Sequence, residues 1–247
     1  MPIIYLSPST QDWNLYVTGS GSEEYHMNRL ADALGPYLNA IGIQYRRNRP
    51  DMTAASSIRE ANSGQYDLYL ALHSNAAPEG RYGEERGVIA FYYPGSEKGR
   101  RAAELLAAEL RRVYPLPEQV SVRPTTALGE VRRPRFPAVL LEIGYHDNYA
   151  DARWIEGQRK EIAAAIGRGL ASYFGLPFVE PLDRAKEGTV EVRSGTLNLR
   201  DYPSAQGRVI AGLPDGAAVT VYGLRDGWAT VHYDGLVGYA AAAYIDI

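Results

Sequence analysis

The chain has 247 residues, 45% of them hydrophobic, and sets 26 Lys and Arg against 29 Asp and Glu for a net charge of −3. That length allows one large domain or a medium domain with a small one, and the charge balance gives no electrostatic case for nucleic acid or an anionic membrane surface. There is no cysteine, which excludes disulfides and thiolate metal sites; a metal would have to rest on His, Asp, Glu or other oxygen ligands.

The opening MPIIYLSPST shows no basic segment before an apolar run and no small-residue cleavage site, and no run reaches membrane-spanning length. Within it, PIIYL reads as a first strand. From Ser22, Met27, Leu30, Leu34, Leu38 and Ile41 keep helical spacing, with Glu23 and Glu24 in the favourable first turn and Pro36 expected to kink or interrupt the helix. IQYR is a second strand, and Thr53 can cap a helix through Asn62. YDLYLALH and GVIAFYYP are the third and fourth strands, residues 97 to 113 a helix, AVLLEIGY a last buried strand, and residues 150 to 174 a closing helix. This alternation predicts an α/β domain over residues 1–175, a mostly parallel sheet flanked by helices.

Composition then changes. Residues 176–188 hold two prolines, several charges and no periodicity, and read as a linker. Residues 189–247 bring short apolar runs between close turn signals, the pattern of a small all-β domain.

Three features of the first domain converge. His73 ends an apolar strand, where it serves either as a core histidine tied to a neighbour or as a ligand delivered to the sheet's carboxyl edge. Glu142 lies inside the apolar run VLLEIGYHDN, a costly place for a carboxylate unless it is paired or used. Glu24 opens the first long helix behind the glycine-rich VTGSGS loop. Strand ends and the starts of following helices share one edge of a parallel sheet, so all three can meet there. Two carboxylates and an imidazole in a cleft suit a mononuclear zinc hydrolase, with a non-ligand carboxylate moving the proton.

Several stretches, in order, resemble the zinc-dependent N-acetylmuramoyl-L-alanine amidases of the amidase-3 type: IIYLSPSTQ, EEYHMNRLADAL, LYLALHSNA, RGVIAFYYP and FPAVLLEIGYHDN. The resemblance implies a peptidoglycan hydrolase that cleaves the lactyl–L-alanine amide, with Zn as cofactor. It implies Glu24 (rather than Glu23) and His73 as metal ligands and Glu142 as the catalytic residue. The family's first ligand is a histidine at the end of strand one; Ser9, Thr10 and Gln11 stand there instead. His146, which shares strand parity with Glu142 if the chain stays extended, is the first substitute, the Gln11 amide oxygen the second and His26 the third. Arg123 resembles a groove-lining arginine able to hold a carboxylate, and Asn75 beside His73 is a further expected substrate contact. LNLRDYPS, VIAGLPDGAAVTVYG, GWATV and GYAAAAYI resemble a bacterial SH3 domain, an SH3-like barrel that commonly tethers wall hydrolases. Trp228 and Tyr233 are either part of its binding face or core.

The reading is therefore a monomeric wall amidase, secreted or wall-associated, an autolysin or a phage endolysin released without a signal peptide, with bacterial peptidoglycan as partner. The alternative is a metal-free, degenerate amidase domain that binds peptidoglycan or regulates a partner. A zinc peptidase acting on stem peptides is a third possibility, since the same chemistry would serve.

Overall fold

In the computed structural model, which describes residues 1–247, the first sheet is built from β1 (Ile3–Pro8), β2 (Gln44–Arg47), β3 (Leu68–Asn75), β4 (Val88–Tyr92), β5 (Val120–Pro124) and β6 (Ala138–Tyr145). Its strand order is β2-β1-β3-β6-β4-β5. β3 pairs in parallel with both β1 and β6, and β4 in parallel with β5, while β4 and β6 run antiparallel. The sheet is thus mixed, with β4 and β5 reversing the common direction. Its helices are α1 (Glu23–Ile41), α2 (Ala54–Ser63), α3 (Glu97–Leu110), α4 (Gly129–Arg132), α5 (Tyr149–Gly157) and α6 (Arg159–Phe174).

Local chemistry sets most of these limits. Thr53 caps α2 by accepting from Ser56 N, and Ser56 returns the bond to the Thr53 backbone. Ser96 and Asn148 likewise cap α3 and α5 by accepting backbone N–H bonds. Pro36 lies inside α1 without ending it. Its missing hydrogen bond costs about 3 kcal/mol, which the stripe Leu30, Leu34, Leu38 and Ile41, all fully buried, outweighs. The expected closing helix is two helices, because Gln158 leaves helical geometry between α5 and α6.

On the sheet face covered by α2 and α4, Tyr5, Tyr69, Ala71, Ala138 and Leu140 pack with Ile58, Ala61 and Val131. Side chains alternate across a strand, so the next residues on this face are Ser7 on β1, His73 on β3 and Glu142 on β6. His73 and Glu142 are direct register partners. The apolar layer therefore ends, at the carboxyl edge of three adjacent parallel strands, in polar groups.

The second sheet comprises β7 (Pro181–Val190), β8 (Thr196–Arg200), β9 (Val209–Pro214), β10 (Ala218–Arg225), β11 (Trp228–Tyr233), β12 (Leu236–Ala241) and β13 (Ile245–Asp246), in the order β13-β7-β10-β11-β12-β8-β9. Its strands pair antiparallel, around a core of Val190, Leu199, Leu213, Val221 and Val231. Much of the expected linker is therefore a strand: Pro181–Gly188 belong to β7, which pairs with β10. The pairing supplies partners to a stretch whose side chains carry no apolar alternation. The chain divides into two compact units, one of Ile3–Leu34 and Tyr45–Tyr173, the other of Met1–Pro2, Gly35–Gln44 and Phe174–Ile247. No helix is long and apolar enough to cross a membrane.

Candidate functional site

The polar edge borders a cleft of about 400 Å³ lined by Ser7, Gln11, Trp13, His73, Glu130 and Glu142 among others. His73, 8% exposed, donates from both ring nitrogens. Nδ1–H points to Glu23 Oε1 at 2.8 Å and Nε2–H to Glu130 Oε2 at 2.8 Å. Both carboxylates are buried, and their other oxygens are occupied. Ser7 and Tyr69 donate to Glu130 Oε1 at 2.8 and 2.7 Å, and Asn14 donates to Glu23 Oε2 at 2.7 Å.

These bonds fix the charge states. Burial disfavours a charged ring, but the hydrogen bonds to Glu130 and Glu23 and the charges of Glu130 and Glu142 outweigh it, holding His73 well above the usual imidazole range. The reciprocal bonds to His73 overcome burial at Glu23 and Glu130 and keep both below the usual carboxylate range. Glu142 goes the other way. Burial, with the charges of Glu23 and Glu130 against it, pushes it up to about 7 despite the opposing pull of His73. Its Oε2 is shielded from water and has no hydrogen-bond partner.

Sequence and structure differ on several residues. Glu23, not Glu24, faces His73; Glu24 is only partly buried and accepts from Asn28 Nδ2 at 3.0 Å. The signal was present in the helical spacing, since Glu23 shares the buried stripe of Met27, Leu30 and Leu34. His146 does not enter the cleft. Gly144 adopts φ +71°, and the β3–β6 register shifts between His73 and Asn75. The strand parity that would align His146 with Glu142 is broken there. His146 instead donates from Nδ1 to Ser74 O at 2.9 Å and stacks on Tyr16. His26 also stacks on Tyr16, with Nε2 2.8 Å from Ser20 Oγ, and burial drives its pKa down to about 4.

Arg123 is exposed on edge strand β5, and Asn75 ends β3; neither lines the cleft that holds His73 and Glu142. Asn75 Oδ1 accepts from Ala76 N. Glu130 is the site residue that sequence reasoning misses. It lies on the four-residue α4, too short for periodicity, and its only mark is an acidic residue between Leu128 and Val131.

The residues present do not fit the zinc that the resemblance implies. Nδ1 and Nε2 lie on opposite edges of one ring, so a metal at either would meet only one of the two carboxylates. Glu130 behind His73 is the arrangement that commonly orients a ligating histidine, and Glu23 would be a second donor in front. The third donor is missing, and no group of three or more His, Cys, Asp or Glu is placed to hold a metal. Gln11 is near, with its amide nitrogen 3.5 Å from His73 Nδ1, but its oxygen faces away. Asn14 Nδ2 must present N–H to the Glu23 carboxylate, and the same nitrogen reaches Gln11 Oε1 at 3.2 Å. That chain aims the Gln11 NH2 at the corner where a ligand oxygen would be needed.

The sequence matches the N-acetylmuramoyl-L-alanine amidase family model over residues 14–172 and the bacterial SH3 domain model over residues 195–246. The N-acetylmuramoyl-L-alanine amidase LytC of Bacillus subtilis is 26% identical over 178 residues, covering 69% of this chain and 35% of that protein. The probable cell wall amidase LytH of Staphylococcus aureus is 28% identical over 154 residues, 62% of this chain and 50% of that protein. The chain thus spans half or less of the length of these relatives. Among solved structures, N-acetylmuramoyl-L-alanine amidase AmiC2 of Nostoc punctiforme superposes with a TM-score of 0.62 at 16% identity, covering 70% of this chain and 97% of that one. The N-acetylmuramoyl-L-alanine amidase from Clostridium difficile 630 gives 0.63 at 18%, with the same coverages. At these identities the structural likeness is one of fold.

Proposed function

This chain belongs to the N-acetylmuramoyl-L-alanine amidase family, and on that premise we propose that it is a peptidoglycan-recognition protein of the bacterial wall. In this reading the amidase-fold cleft receives the lactyl–L-alanine junction of a muropeptide, and the SH3 domain holds the chain on the wall. The observation that carries it is His73, which spends both ring nitrogens on Glu23 and Glu130 in a cleft that offers no third metal donor. A groove of about 1230 Å³ in the second domain, lined by Arg193, Asn198, Arg200, Trp228 and Tyr244, supports the tethering role with polar and aromatic groups.

Glu142 favours a second reading, hydrolysis of the same amide. A cleft carboxyl with pKa about 7 is suited to take a proton from an attacking water and pass it to the leaving amine. One experiment separates the two. Purified protein is incubated with insoluble peptidoglycan, with and without added zinc, and both co-sedimentation and new L-alanine amino termini are measured. Recognition predicts co-sedimentation in both conditions and no new termini. Absence of co-sedimentation overturns the proposal, and zinc-dependent release of L-alanine termini establishes the hydrolase.

A further inference from the structure

The corner between Glu23 and His73 is not empty of chemistry. Three side chains organise it without a metal. The chain of bonds from Glu23 through Asn14 to Gln11 fixes the Gln11 amide. Backbone bonds fix the loop that carries it, with Glu23 N donating to Asn14 O and Glu24 N to Gln11 O. The start of α1 and the end of β1 are thereby clasped together. His73 Nδ1–H is committed to Glu23, so the neighbouring Gln11 N–H groups face another donor and have no strong acceptor in the protein. They line the same cleft as Glu142, which is partly exposed there: its Oε2 is buried without a partner, and the other carboxyl oxygen is the one the cleft reaches. A donor and an acceptor without partners, facing one cavity, are the two halves of a recognition site for a group that carries both.

We infer that this corner is a hydrogen-bonding site for a peptide amide of the ligand, with Gln11 Nε2–H donating to its carbonyl oxygen and Glu142 accepting from its N–H. The inference rests on the cleft being the muropeptide site and names the group it reads. The mouth of the cleft fits such a ligand: Trp13, 69% exposed, and Met52 and Leu128 offer apolar surface beside the polar corner. Gln11 here does with an N–H what a metal does elsewhere as a Lewis acid, namely meet a carbonyl oxygen. It requires neither a metal nor a change of fold.

The test uses the full chain and N-acetylmuramoyl-L-alanyl-D-isoglutamine as soluble probe, with binding measured by calorimetry in chelator-treated buffer and metal content by elemental analysis. Wild type binds the probe without metal. Gln11→Ala weakens binding about threefold to tenfold, the range for one hydrogen bond to a neutral acceptor. Gln11→Glu loses more, since it turns a carboxylate toward the carbonyl oxygen. It also gains zinc, close to one ion per chain, because the introduced carboxylate would join Glu23 and His73 as the third donor. Circular dichroism confirms that both variants are folded; Gln11 is on a partly exposed loop. Equal affinity of Gln11→Ala and wild type overturns the inference and leaves the cleft reading intact. Stoichiometric zinc in wild type overturns it as well, since the amide would have to present its oxygen. A wild-type chain that binds the probe in neither condition, with chelator or with added zinc, removes the cleft reading and the inference with it.

Discussion

His73 and Ser74 are consecutive on β3 and point to opposite faces of the sheet, and the two regions they enter treat histidine in opposite ways. On one side His73 is a buried cation held between Glu23 and Glu130. On the other, Ser74 Oγ accepts from Tyr16 at 3.0 Å, and Tyr16 stacks between His26 at 4.1 Å and His146 at 5.7 Å. There burial lowers His26 to about 4, so that ring is neutral. Both regions are at the same sheet edge, and all three rings are buried. The difference is what faces the ring. Two carboxylates at hydrogen-bond distance outweigh desolvation; an aromatic plane and a hydroxyl do not. Burial alone therefore says nothing about whether a histidine is charged, and nothing about whether it is free to bind a metal.

The comparison breaks most sharply at His73. Replacing it with Ala strands two buried carboxylates, and the expected loss is about 3–5 kcal/mol of folding stability at pH 7, read by urea denaturation. A loss below about 1 kcal/mol would mean that the carboxylates are solvated and the clamp is not ionic. Next is the pH profile. Glu142 rises from 4.5 to about 7 on folding, so the native state binds more protons than the unfolded chain between those values. Its contribution erodes stability as pH climbs through that window, by about 1.4 kcal/mol for each pH unit crossed. Glu142→Gln should remove that loss, so that its stability relative to wild type grows with pH across the window and it is the more stable protein above pH 7. Glu23 and Glu130, lowered on folding, contribute stability above the usual carboxylate range and lose it as acid protonates them. His73, raised on folding, contributes fully below the ordinary imidazole range and loses that stability progressively as pH climbs from there to its folded pKa. His26, lowered on folding, adds a rise of opposite sign below about pH 6.5 in both proteins, so the test is the difference between them: a stability gap between Glu142→Gln and wild type that does not widen from pH 5 to 7 would contradict the Glu142 assignment.

The aromatic side should be gentler. Tyr16→Phe keeps both stacks and removes the bond to Ser74, an expected cost of about 1 kcal/mol in the same measurement. His26→Phe should change stability least of all, within about 1 kcal/mol, as a swap of similar shape does. The ring is neutral, its Nδ1 is buried without a partner, a phenyl ring keeps the contact with Tyr16, and the one bond given up is to the exposed Ser20 hydroxyl, which also reaches Glu156. A loss as large as that of His73→Ala would show that the two regions are not different in kind.

How much of this was legible in the sequence follows from which interactions are local. The apolar runs of β1, β3 and β6 identified themselves by composition, and the expectation that His73 and Glu142 meet at the carboxyl edge holds as a direct register pair. Caps such as Thr53 were readable because a cap joins residues three apart. The amidase and SH3 families were also readable, because both matches rest on ordered stretches of sequence. Glu23 against Glu24 was decidable from helix phase, yet a one-residue choice at a helix start has little pattern behind it. Strand β5 and helix α4 are not legible because each is short and lacks its own periodicity.

Hydrophobic period and topology suffice for the two-part architecture, for the strands β1, β3, β4 and β6 of the first sheet and for the convergence of a histidine and a glutamate at its edge. What that edge can bind depends instead on contacts between residues far apart in the chain. Glu130 reaches His73 across 57 residues of chain, and no motif links them. Gly144 bends β6 through one left-handed residue and sends His146 to Tyr16 rather than to the cleft. The Gln11 amide takes its polarity from Asn14, which takes its own from Glu23. Hydrogen-bond direction is set by the neighbour a group meets in space, so the difference between a metal ligand and a donor for a peptide carbonyl is written in the fold.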